Sequence, residues 1–153
     1  MLAPSDREPP LDARDIRAAL DRICATRTFE ASPVLTRFLR FVVEATLRGQ
    51  GGRLKGYTVA VEALGRRPDF DPQTDPIVRV EAIRLRASLA RYYAGPGADD
   101  PIEIELPRGG YVPRFRWRAR LLQRSVSQWF AAVRKLQRLL GIRVVLQLPP
   151  ELP

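Results

Sequence analysis

A chain of 153 residues with 45% apolar content and a formal net charge of +9 is long enough for one hydrophobic core and basic enough to suit a polyanionic partner. It has no histidine, which excludes Ser-His-Asp and Cys-His catalysis and any histidine-ligated metal, and its single cysteine, Cys24, cannot form an internal disulfide. The charge is uneven: residues 1 to 105 hold 16 Lys+Arg against 16 Asp+Glu, whereas residues 106 to 150 hold ten basic residues and no acidic one.

The proline-rich and charged residues 1 to 10 read as a disordered lead-in. A helix then starts with Leu11 as a hydrophobic staple and Asp12 as N-cap. Ile16, Ala19, Leu20, Ile23 and Cys24 fall on one apolar face at helical spacing, which makes Cys24 a buried small hydrophobe rather than a reactive thiol. Ser32 followed by Pro33 predicts a second N-cap with proline in the first turn, and Leu35, Phe38, Leu39, Val42 and Thr46 continue that helix to the glycines at 49, 51 and 52. "LKGYTVAVEALG" reads as a short third helix closing on Gly65.

The loop "RRPDFDPQTDP" ends in Asp75-Pro76, again a cap followed by a first-turn proline, so a fourth helix is expected over 76–93. Asp69, Asp71 and Asp75 have a spacing that suggests a hard cation, but the prolines at 68, 72 and 76 and the missing turn glycine favour a rigid capped loop. On the fourth helix Val78, Ala82, Leu85, Leu89 and Tyr92 form the core face. Arg79 and Arg86 lie to one flank and Arg84 and Arg91 to the other, with Glu81 the single acid. Val80 and Ile83 fall away from the core arc, where they suit thymine methyls or a docked protein equally. Residues 102–115, "IEIELPRGGYVPRF", alternate apolar and polar on each side of a tight Pro-Arg-Gly-Gly centre and predict a hairpin, with Ile102, Ile104 and Leu106 facing in, Glu103 and Glu105 facing out, and Arg108 at the tip.

Three stretches in this order resemble the OmpR/PhoB-type winged helix-turn-helix DNA-binding domain over about residues 35–115, its hairpin being closest to the CadC-like variant: "VEALGR" (61–66), "VRVEAIRLRASL" (78–89) and "LPRGGY" (106–111). The first resembles the end of the family's positioning helix, the second its recognition helix, the third the turn of its wing. Two departures stand out: no run of strands precedes Leu35, and Val112-Pro113 separate Tyr111 from Arg114 and Phe115.

The resemblance implies an α+β fold, a helical core with a C-terminal β-hairpin wing, preceded here by an extra N-terminal helix. It implies a transcription regulator that is the output module of a signalling system, binding double-stranded DNA without catalysis or cofactor. Arg79, Arg84 and Arg86 are then the groove-reading residues and Arg108 the wing contact, because guanidinium groups read guanine bidentately and bind phosphate. A winged-helix adaptor that docks protein is the rival reading. The expected organisation is a lead-in over 1–10, a domain over 11–115 and a basic amphipathic tail over 116–153.

In that tail Leu122, Val126, Trp129, Val133, Leu136 and Leu140 form a heptad-like seam flanked by Arg124, Arg134, Lys135 and Arg138. Three uses compete for a helix over 117–140: packing on the domain, pairing with a second copy or another protein, and lying on an anionic membrane, the last ranked lowest. With no apolar run long enough to span a bilayer, a cytoplasmic location is expected.

Overall fold

In the computed structural model, which describes residues 10–118, Asp12 starts the helical part: its extended backbone and its Oδ1, which accepts from the Arg14 amide at 3.1 Å, cap helix α1 (Ala13–Cys24). All five residues of the expected apolar face are buried, Cys24 included, and Leu11 packs partly against the same core. The residues expected to form the lead-in, up to position 9, and the tail from 119 onward lie outside the described residues.

A short helix that the sequence pattern did not suggest follows, α2 (Arg27–Glu30). It drives Phe29 fully into the core, and its last turn is tied down by the Thr36 hydroxyl, which donates to the Phe29 carbonyl at 2.8 Å. Helix α3 (Pro33–Leu47) begins with proline as expected, but Ser32 makes no side-chain cap; its backbone carbonyl accepts the Thr36 amide instead. The buried face of α3 is wider than the predicted stripe, adding Val43 and Ala45 to Leu35, Phe38, Leu39 and Val42. A 3₁₀ turn (Gly51–Arg53) leads into α4 (Gly56–Thr58), which runs on as a π-helical turn over Val59–Ala63 and stops at Gly65, whose φ of +68° only glycine adopts without strain.

The long helix α5 (Ile77–Ala94) starts one residue later than predicted. Asp75 does cap it, but by an Asx turn, Oδ1 accepting from the Ile77 amide at 2.9 Å, and this leaves Pro76 in the turn rather than in the helix. The expected core face is buried throughout, and so are Glu81 and Ser88 beside it.

Strands β1 (Ile102–Glu105) and β2 (Arg114–Trp117) pair antiparallel, Ile102 opposite Trp117 and Glu105 opposite Arg114. The hairpin is therefore not tight. Between the strands the chain from Leu106 to Pro113 forms a broad loop, because Leu106 and Pro113 are drawn into the interior and the two prolines offer no amide to extend the ladder. Inward Ile102, Ile104 and Leu106 and outward Glu103 and Glu105 follow the predicted alternation, and β2 extends past residue 115 to Trp117. The architecture is thus α+β, helices with a small two-stranded sheet that packs against α1 and α5. Among the described residues no helix is long and apolar enough to cross a membrane.

One buried carboxylate joins these parts. Asp100, its side chain 2% exposed, receives both Arg22 Nε and Nη2 from α1 at 2.9 and 2.8 Å, the Tyr92 hydroxyl from α5 at 2.8 Å, and the Ile102 amide of β1 at 3.2 Å. Burial alone would raise its pKa; the Arg22, Tyr92 and Ile102 hydrogen bonds outweigh it and hold the carboxyl below its usual range. The same burial, with the Asp100 carboxylate alongside, pushes the Tyr92 hydroxyl up to about 12, so it remains a donor at any physiological pH. The Tyr92 ring lies directly over Gly97, where an added Cβ would come within 2.1 Å of ring carbon Cε1.

Asp100 is deprotonated more readily folded than unfolded, so its stabilisation is complete above the ordinary carboxylate range and is lost as pH falls through that range to its lowered value. Asp100→Asn is expected to cost roughly 2 kcal/mol at neutral pH, less than for a fully buried pair because Arg22 is half exposed. Denaturant unfolding at pH 7 and at a series of acid pH values should show the variant losing less stability on acidification than the parent. Gly97→Ala should cost about 2 kcal/mol by displacing the Tyr92 ring, read from the same unfolding curves.

Candidate functional site

With its core face inward, α5 turns Arg79, Val80, Ile83, Ala87 and Arg91 to solvent. At about 100° per residue Arg79 and Arg86 border one side of this face and Arg84 and Arg91 the other, leaving Val80, Ile83 and Ala87 between them. Ile83 is 64% exposed and Val80 44%, the exposed large hydrophobics of the helix. The one acid of α5, Glu81, is absent from this surface: it lies buried, where its Oε1 and Oε2 accept from Arg84 Nη1 at 2.8 and 3.1 Å.

The four arginines singled out from sequence fare differently. Arg79 is exposed and makes no hydrogen bond or ion pair among the described residues, and the same holds for Arg108, next to Gly109, whose φ of +82° turns the loop tip. Arg84 is exposed but shares its Nη1 with Glu81, so part of its charge is already compensated. Arg86 is a structural residue. Its Nε donates to the Leu106 carbonyl at 3.0 Å and its Nη2 to the carbonyls of Pro107 and Gly110 at 3.0 and 3.1 Å, fastening the loop that carries Arg108 to the side of α5. Three of the five guanidinium N–H donors of Arg86 are thus committed to the loop carbonyls, which gives this arginine, expected from sequence to face the groove, a part in positioning the loop.

Two shallow depressions flank this clamp. One, of about 330 Å³, lies between Arg79 and Ile83 and the loop at Gly109, Gly110 and Tyr111; the other, of about 260 Å³, lies between Ala90 and Tyr93 and the β1 end at Glu103 and Glu105. Arg86 borders both. The far side of the loop is seated by Tyr111, whose ring lies 6.2 Å from that of Phe38, and by Val112, which sits against Gly51.

Sequence reasoning missed Arg114 and Arg116 on β2. Arg116 faces Glu103 across the strands and pairs with both its oxygens at 2.9 and 3.1 Å, which offsets the glutamate's repulsion of an anion; Arg114 is exposed opposite Glu105 with no hydrogen bond or ion pair among the described residues. The cross-strand register that pairs these residues could have been read from the alternation, had the loop length been known. Of the aspartates in the 66–75 loop, Asp71 accepts the Gln73 amide at 2.9 Å and Asp75 the Ile77 amide, while Asp69 pairs with Arg67 at 3.7 Å.

Charge is thus displayed by Arg79, Arg108 and Arg114 and sequestered at Arg86. Arg86→Ala is expected to cost roughly 2 kcal/mol, because three loop carbonyls lose a charged donor, while Arg79→Ala should leave stability within about 0.5 kcal/mol of the parent. Paired denaturation curves check this, and equal effects of the two changes would refute the division of roles. No family model matches the chain, and no curated protein or solved structure does either.

Proposed function

We propose that the protein is a winged-helix DNA-binding transcription regulator of OmpR/PhoB type, the output module of a signalling system, with α5 entering the major groove of a duplex and the 106–113 loop reaching the backbone or minor groove. The observation that carries this reading is the outward face of α5, which displays arginines around a low apolar centre while its single acid is buried. A cylinder of that kind fits a groove about 12 Å wide, and its guanidinium groups find acceptors on guanine and on phosphate. Arg79 is the base-reading residue, Arg84 and Arg91 contact the flanking phosphates, and Arg108 with Arg114 holds the backbone beside the loop. Arg86 contributes by fixing where Arg108 stands.

The exposure of Val80 and Ile83 favours a second reading, a winged-helix adaptor that docks protein through the same face, with the basic tail engaging a partner or an anionic membrane. A salt titration of duplex binding by the full chain separates the two. DNA recognition predicts an affinity that falls steeply with salt. Arg79→Ala and Arg108→Ala should each lower that affinity and flatten the log–log slope by about one, with the unfolding midpoint unchanged. If both variants bind like the parent, and replacing Arg124, Arg134, Lys135 and Arg138 by Gln abolishes binding, the helix face is not a DNA reader.

A further inference from the structure

We infer that the outward face of α5 reads thymine methyl groups beside a guanine, an inference that rests on the DNA-binding reading and specifies its target chemistry. Base edges in the major groove offer acceptors on guanine, donors on cytosine, one of each on adenine, and on thymine an acceptor with a methyl group. Reading adenine or cytosine takes a side-chain acceptor, an amide or carboxylate. The exposed residues of α5 include none: Ser88 and Glu81 are buried, and what remains outside is arginine, alanine, Val80 and Ile83. Guanidinium donors and branched aliphatic carbons are therefore the whole vocabulary of this face, and they match guanine and the thymine methyl.

Spacing brings the two together. Arg79 and Ile83 lie four residues apart on the same side, about 6 Å along the helix axis, which spans roughly two base steps at 3.4 Å each. Val80 stands three residues before Ile83, adjacent to it on the surface. Ala87 adds no bulk beyond its methyl, so nothing taller than Ile83 holds the helix off the groove floor on that side. The charge around this apolar pair selects the occupant: Arg79, Arg84 and Arg91 surround it with no exposed acid on the helix, a setting complementary to a polyanion. The loop clamped by Arg86 walls the Ile83 side, leaving a depression of about 330 Å³ between them.

The test uses duplexes selected by the full-length protein from a random-sequence library, each then remade with deoxyuridine for thymidine, which deletes the methyl and leaves the hydrogen-bonding edge in place. The selected sequences are expected to carry a thymine within two base steps of a guanine, and each contacted methyl removed should weaken binding about fourfold, the order expected for one buried methyl. Ile83→Ala, a change at an exposed position, should bind thymine and uracil duplexes nearly alike. Equal binding of the parent to both forms, or an undiminished difference in Ile83→Ala, overturns the methyl inference while DNA binding stands. If no sequence is enriched and no salt-dependent duplex binding is seen, the DNA-binding reading falls and this inference with it.

Discussion

The Asp100 carboxylate is the one polar point at which α1, α5 and the hairpin meet. Helix α1 has no covalent reason to lie near the hairpin, and the loop after α5 is rich in glycine and proline; the bidentate Arg22 bond and the Tyr92 hydroxyl make one point common to α1, α5 and β1. A charge this buried is tolerated because its lone pairs are taken by four donor atoms, a condition that fixes geometry more sharply than apolar contact does. Next to it the Tyr93 hydroxyl, its pKa raised chiefly by burial, receives the Ile104 amide at 2.7 Å. Two amides of β1 are thus satisfied by side chains, and so a sheet of two strands keeps an ordered edge without a third.

From this frame the molecule separates two tasks that the same residue type performs. Arg22, Arg86 and Arg118 are spent inward: Arg118 donates to the Gly97 carbonyl at 2.8 Å and stacks 4.9 Å from the Tyr93 ring centre, closing the end of β2 onto the loop that follows α5. Arg79, Arg108 and Arg114 are spent outward. The chain's net charge alone does not distinguish these uses.

Helix α5 was legible almost to the residue, since an apolar arc sustained over five positions admits one packing; even the burial of Glu81 has a sequence signal, its place at the edge of that arc. Helix α2 was not, because four residues are too few for any periodicity and Phe29 reads alone. The hairpin's existence and facing were visible in its alternation, but not the clamp on its loop, which Arg86 makes from 20 residues or more away in sequence. The candidate site suffers the same limit. Sequence identifies which arginines leave the core, whereas whether such an arginine is free depends on which carbonyls happen to stand within reach.

The outward face of α5 carries guanidinium groups and aliphatic carbons, and the chain has no histidine to add. A surface of that make-up has no side-chain acceptor of its own to offer whatever stands against it.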